Sequence, residues 1–262
     1  MKTITIFTDA WDPQINGVVT TLKTTKEHLE KRGYTVKVIH PGLYKLTVPL
    51  QPSTGIYMPL LPLGLVDDHI NETDHIHIST EGSIGLAARY ACKKYGRSFT
   101  TSFHTRYPEY VEIHTGIPSR ISSRYFRWFH RNSSAVLCTT PAMVDYCNDM
   151  GIKNTVVWSR GVDTSLFKPK SKSRKETIRA VYVGRISAEK NIEAFLQIQD
   201  ENIEKTLIGD GPQLNDYKWK YPDVNFLGRM NSKQIAEELP EHDVFAWPSL
   251  TDTFGLVVLC LL

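Results

Sequence analysis

The chain of 262 residues has no apolar run of the roughly 18 residues that a membrane-crossing helix needs. Cysteine is scarce. Cys92, Cys138, Cys147 and Cys260 form no Cys-x-x-Cys pair, so a reduced, cytoplasmic chain is the expectation. The opening, MKTITIFTDA, lacks the long apolar stretch and cleavage site of a signal peptide and reads as a first strand. There is no Asp-x-Asp and no Walker A pattern, which argues against a metal-chelated nucleotide site and against a P-loop enzyme. IGDGPQ (208–213) has two glycines, but Leu214 stands where a dinucleotide fingerprint needs a third, so an NAD site is discounted.

What is present is an ordinary globular composition, 41% hydrophobic and 23% charged, in a length that suits one large domain or two medium ones. The net charge of +3 is unevenly placed. Residues 1–131 hold 16 Lys and Arg against 11 Asp and Glu, and residues 132–262 hold 15 against 17. The basic half could favour an anionic partner or a membrane surface, or be a solvated face. No nucleic-acid partner is expected.

Short β-branched runs alternate with helical stretches, the pattern of a parallel sheet covered by helices. TITIF (3–7) precedes a helix in which Val19, Leu22 and Leu29 share a face and Gly33 offers a C-cap. TVKVIH, DHIHIST, SFTTSFH, SAVLCTT and TVVWS follow as strands. Residues 41–66 carry five prolines and read as loop. FKPKSKSRKE (167–176) is basic and Ser-rich and reads as a linker between residues 1–166 and 177–262. Beyond it lie IRAVYV, a helix over 188–197, KTLI, VNFL, a helix over 231–239, DVFAW and an apolar helix over 254–262.

Several loops follow predicted strands, where open α/β sheets place their ligands. Asn16-Gly17 before a helix would leave backbone N–H groups bare for an anion, or be only a turn. In VGRISAEKN (183–191), Arg185 and Lys190 flank a helix start in a way that suits a pyrophosphate; a surface Arg and a Glu–Lys pair is the plainer reading. In PSLTDTFG (248–255), Asp252 could cap the last helix or accept from sugar hydroxyls. His104, just after a strand, could reach a crevice between domains or be a satisfied structural His. HIH (75–77) puts two histidines on one strand face, but no third metal ligand is evident. In SRISSRYFRWFHR (119–131), Arg120, Arg124, Arg127 and Arg131 share a stripe beside Ile121, Tyr125, Trp128 and Phe129. That suits peripheral contact with an anionic membrane, or a core-facing helix with a basic edge.

In order, DPQINGVV, TEGSIGLAARY, SFHTRYPEY, WSRGVDTSLFKP, YVGRISAEKN, IGDGP, FLGR and PSLTDTFGLVVL resemble retaining glycosyltransferases of family 4, across almost the whole chain. The resemblance implies the α/β GT-B architecture, two Rossmann-like domains facing a cleft. It implies transfer of a hexose, with mannose from GDP-mannose favoured over a UDP-hexose, to a lipid or glycan hydroxyl. No cofactor and no metal are implied. Donor binding would fall to Asn16, Gly17, Arg185, Lys190, Gly209, Asp210, Gly211, Pro212, Met230, Phe254, Gly255 and Leu256. His104 would meet the transferred sugar. Asp252 stands where the family has the first acidic residue of an E-x7-E pattern. The second falls on Cys260, and a thiol cannot grip a ribose diol as a carboxylate does. With the apolar stop after it, this suggests a C-terminally truncated second domain, apolar side chains left in water, and activity in doubt. The alternative to a transferase is an inactive remnant that binds a nucleotide-sugar or a partner. An epimerase of the same architecture would need paired acidic and His groups that are not found in matching contexts.

Overall fold

The computed structural model describes residues 1–14, 16–51, 56–60, 62–169, 176–249 and 252–261. The chain divides into two compact units, Met1–Arg160 and Gly161–Leu262. Residues 170–175 of the proposed linker lie outside the described residues.

Unit 1 runs β1 (Thr3–Phe7), α1 (Gly17–Lys31), β2 (Thr35–Ile39), β3 (Thr47–Gln51), β4 (Ile56–Pro59), α2 (Leu63–Asn71), β5 (His75–Ile78), α3 (Ser83–Lys94), β6 (Thr100–Phe103), α4 (Tyr107–Thr115), α5 (Ser119–His130), β7 (Ala135–Cys138), α6 (Pro141–Asp149) and β8 (Thr155–Val157). Six strands form a parallel sheet in the order β2-β1-β5-β6-β7-β8. The pleat sorts the core. Ile6 points with Val36 and Leu22 toward α1. Phe7 points the other way, into a cluster with Ile39, Ile78, Ile84 and Ala88 under α2 and α3.

Residues 41–66 are not all loop. They hold a 3-10 turn at Pro41–Leu43, the antiparallel hairpin β3/β4 with Val48 opposite Met58, and the start of α2. A two-stranded ribbon has a free edge on each strand, which tolerates proline where a central strand would not.

Unit 2 runs β9 (Ile178–Val183), α7 (Glu193–Leu196), β10 (Ile203–Ile208), α8 (Leu214–Lys220), β11 (Asn225–Gly228), α9 (Ser232–Glu238) and β12 (Val244–Phe245). Its four strands are parallel in the order β11-β10-β9-β12. The helix expected over 188–197 breaks into a 3-10 turn at Ala188–Lys190 and the short α7, because Asn191 turns left-handed at φ 50°. The expected helix over 254–262 is a 3-10 helix at Leu256–Leu261. Residues 254–260 are half-buried rather than left in water, and Val257 and Cys260 pack against Val181, Val183, Ile208 and Leu239.

Candidate functional site

In unit 2 the chain builds β9, then β10 and β11 on one side, then β12 on the other. The loops after β9 and β12 therefore diverge at a topological switch point, where open α/β sheets hold ligands at the carboxyl ends of their strands. Arg185 and Lys190 lie in the loop after β9, and Lys190 meets Asp252 of the loop after β12. Lys190 Nζ donates to Asp252 Oδ1 at 2.5 Å, and Asn191 Nδ2 donates to Pro248 O at 3.2 Å, so two side chains tie the loops together. Asp252 thus serves Lys190 rather than capping the last helix, and its Oδ2 has no hydrogen-bond partner among the described residues. Arg185 Nη2 donates to Glu189 Oε1 at 2.6 Å, and the same oxygen accepts from Ser187 Oγ at 2.7 Å. Burial pushes the Glu189 carboxyl up, but the charge of Arg185 and hydrogen bonds from Ser187, the backbone and Arg185 together hold it below its usual range. Because the helix here is broken, the cations, rather than a long helix dipole, supply the positive charge.

The two glycines after β10 have a structural reason. Gly209 lies at φ 146°, and a Cβ on it would stand 1.8 Å from Gly184 O. A Cβ on Gly211 would stand 2.2 Å from Ile186 O. With both positions bare, the 209–213 loop zips onto the Arg185 loop through Ile186 N to Asp210 O at 2.9 Å and Gln213 N to Ile186 O at 3.2 Å. Asp210 and Pro212 remain exposed. Met230, after β11, is half-buried against Val181, Val183 and Ile208. Phe254 and Leu256 are half-buried on either side of Gly255, which turns left-handed at φ 71° beneath the Trp247 ring. Cys260 is half-buried, and burial pushes its thiol up to about 11, so it is neutral at pH 7.

Unit 1 has its own switch point between β1 and β5, filled by a residue that sequence reasoning missed. Asp9 Oδ2 accepts from Thr80 Oγ1 at 2.7 Å, and Oδ1 from Ile84 N at 2.9 Å at the start of α3. A Cβ on Gly82 would strike this carboxyl group at 2.5 Å. Burial raises the pKa of Asp9 against the pull of those hydrogen bonds. Beside it, buried Glu81 accepts from His130 Nε2 at 3.1 Å, while His130 Nδ1 meets Thr101 Oγ1 at 2.8 Å. The available signal was an Asp two residues after a strand and a Ser-Thr-Glu-Gly-Ser run opening a helix.

Asn16 and Gly17 also lie in unit 1. The N–H groups at the start of α1 are not all bare, since Asn16 Oδ1 caps those of Val18 and Val19, each at 3.0 Å. Gly17 is exposed, with nothing near its missing Cβ. His104 is buried, with Nε2 on Ser79 Oγ at 2.9 Å and Nδ1 on Arg160 Nη2 at 2.9 Å. Burial, then the charge of Arg160, holds His104 well below its ordinary pKa. His75 is exposed and both ring nitrogens of His77 are taken by Thr100 and Ser102; no cluster of three metal-ligating side chains occurs among the described residues. On α5, Arg120, Arg124 and Arg127 are exposed, as is Arg131 at its C-cap, and Ile121 and Trp128 are exposed between them. Tyr125 is half-buried and Phe126 and Phe129 face inward. Among the described residues no helix is long and apolar enough to cross a membrane.

Residues 15–166 match the model of Glycosyltransferase Family 4, and residues 177–261 that of Glycosyl transferases group 1. The chain is 24% identical to a GDP-mannose-dependent alpha-mannosyltransferase of Corynebacterium glutamicum over 96% of its own length and 68% of the relative's. It is 26% identical to an alpha-monoglucosyldiacylglycerol synthase of Streptococcus pneumoniae, over 98% and 68%. The solved sucrose-phosphate synthase of Thermosynechococcus elongatus superposes with a TM-score of 0.74 at 17% identity, over 98% of this chain and 78% of that one. The two parallel α/β units, their switch-point loops and these likenesses agree: the chain belongs to Glycosyltransferase Family 4 and is a glycosyltransferase of the GT-B fold.

Proposed function

We propose that this hexosyltransferase moves a hexose, with mannose from GDP-mannose first in order, onto a lipid or glycan hydroxyl with retention of configuration. The observation that carries the reading is the Lys190–Asp252 pair across the switch point of unit 2, with Arg185 held on Glu189 in the same loop as Lys190. As the bond from the sugar C1 to the phosphate oxygen breaks, negative charge collects on the nucleoside diphosphate. Two cations fixed in advance stabilise that charge without reorganising. The planar Arg185 guanidinium suits a phosphate, whose oxygens accept from its N–H groups in place of a carboxylate's. Asp252 would turn its open Oδ2 to a sugar hydroxyl. Asn16 and Gly17 would receive the phosphates, 209–212 and Met230 would line the nucleoside, Phe254 to Leu256 would lie along sugar or phosphate, and His104 would meet the sugar. Attack from the same face, with the leaving phosphate taking the acceptor's proton, needs no protein nucleophile. The two relatives named above, one GDP-mannose-dependent and one a glucosyldiacylglycerol synthase, support the donor and acceptor classes.

The test is to incubate the chain with GDP-mannose or UDP-glucose and a diacylglycerol or glycoside acceptor, and read the product's anomeric configuration by NMR. An α-linked product is expected. An inverted product removes retention. Nucleotide binding without transfer favours the alternative of an inactive binding remnant, which the neutral thiol at Cys260 supports. Lys190→Ala and Arg185→Ala should each weaken donor binding by about 1.5–3 kcal/mol, as expected for a hydrogen bond to a charged group; unchanged calorimetric affinity in both variants removes the phosphate role.

The exposed Arg120, Arg124, Arg127, Ile121 and Trp128 favour peripheral docking at an anionic inner membrane face. Arg124→Glu with Arg127→Glu should release the chain from vesicles containing phosphatidylglycerol, read by co-sedimentation, while both proteins ignore neutral vesicles.

A further inference from the structure

His104 has a partner that allows it only one protonation pattern. Arginine is a donor with no acceptor and stays charged in proteins. Arg160 Nη2 stands 2.9 Å from His104 Nδ1, so that nitrogen must present its lone pair. The ring proton is then on Nε2, which donates to Ser79 Oγ at 2.9 Å. Arg160 is itself held. Its Nη1 donates to Trp158 O at 2.8 Å, and its guanidinium lies 4.3 Å from the centre of the Trp158 ring. The His104 ring meets the same indole at 60°, with centroids 6.0 Å apart. The ring nitrogens of the neighbouring half-buried His77 meet hydroxyl groups, Thr100 Oγ1 at 2.9 Å and Ser102 Oγ at 2.8 Å, which can donate or accept. Of these two neighbouring rings, His104 is the one paired with a group that cannot change role.

We infer that Arg160 is a positioning residue that locks His104 as the neutral Nε2–H tautomer, so that the imidazole is a hydrogen-bond donor, and not a base, toward a hydroxyl oxygen of the transferred hexose. This rests on the reading of His104 as the sugar contact. The sugar oxygen takes the place of the Ser79 hydroxyl, which turns away by a single torsion while Arg160 keeps Nδ1 occupied. A neutral donor in a buried site suits an uncharged sugar hydroxyl; an imidazolium would not survive beside the guanidinium.

The experiment is nitrogen-15 NMR of the full chain labelled at histidine, with His104 assigned through His104→Asn. In the unsubstituted protein, Nδ1 should appear unprotonated and Nε2 protonated at neutral pH. Arg160→Met removes the donor and should send the His104 signals to an average of both tautomers. Arg160→Lys keeps a donor and should restore the original pattern. A proton on Nδ1 in the unsubstituted protein overturns the inference whether or not a variant folds, and so do unchanged signals in a folded Arg160→Met. GDP-mannose and UDP-glucose are then added. Movement of the His104 Nε2 signal supports the sugar contact as well. Signals that answer to Arg160→Met but to neither nucleotide-sugar support the lock and overturn the sugar reading of His104.

Discussion

His77 ties chemistry to stability through its burial. Desolvation, and then the charge of Arg160, lowers its folded pKa to about 4, against an ordinary value of about 6.5. Between those values the unfolded chain binds a proton that the folded chain refuses, so acidification through this window destabilises the protein. One such group contributes a slope of about 1.4 kcal/mol per pH unit. Asp9 and Glu81 act in the opposite sense. Burial raises both, so the stability they contribute is present in acid and is lost as pH rises through their folded values. His77→Gln should therefore remove about one proton's worth of slope between pH 6 and 5, read from urea titrations at several pH values; an unchanged slope would mean that His77 is protonated in the fold. Little of this network was legible in advance. Arg185, Lys190 and Asp252 were readable because cations and an acid beside strand ends stand out in a short window. Asp9 was not, because its partner Thr80 lies 71 residues away. The engagement of both His104 nitrogens was equally hidden, since Ser79 and Arg160 reach the ring from distant strand ends.

Elements were legible where one local force dominates. β1, β2, β7 and β9 are legible close to their observed bounds because their β-branched and aliphatic runs suit strands of a helix-covered parallel sheet. The turn after β9 was read as continuous helix because Ala188, Glu189 and Lys190 are helix formers. Tertiary contacts override that preference: Asn191 swings left-handed and reaches Pro248. α8 went unread because its sequence, LNDYKWK, shows one buried residue, Tyr217, and leaves Trp219 in solvent. The hairpin β3/β4 was masked by prolines. The glycines at 209 and 211 were legible as a motif, but their purpose, contact between the backbones of two loops, was not. Gly211→Ala should push the Ile186 carbonyl away and loosen the Arg185 loop. The expected loss is about 1–3 kcal/mol of stability, typical of a strained substitution, together with weaker nucleotide binding. Thermal unfolding and calorimetry with GDP check both, and a substitution silent in each would mean the loop has room for a methyl group.

At the scale of the whole molecule, the sign of the charge alternates within short reach. The basic surplus lies in residues 1–131, while residues 132–262 are slightly acidic, yet the cations at the switch point of unit 2 belong to the acidic half. Their bookkeeping is local: Arg185 stands on Glu189, Lys190 on Asp252, and Arg229 Nη2 lies 3.5 Å from Asp210 Oδ2 at the same sheet edge. Each positive charge is matched by a negative one a few ångströms away, so the edge projects dipoles rather than a net field. The consequence is kinetic. A dianionic donor approaching through solvent is not drawn in from a distance; it meets the cations only on arrival, where it must compete with resident carboxylates. Its association rate should sit near the unsteered value of about 10^5–10^6 M−1 s−1. Raising the salt from 20 to about 300 mM, which shortens the screening length severalfold, should leave the stopped-flow association rate of a fluorescent GDP almost unchanged. A steep fall would reveal long-range attraction that these ion pairs do not cancel.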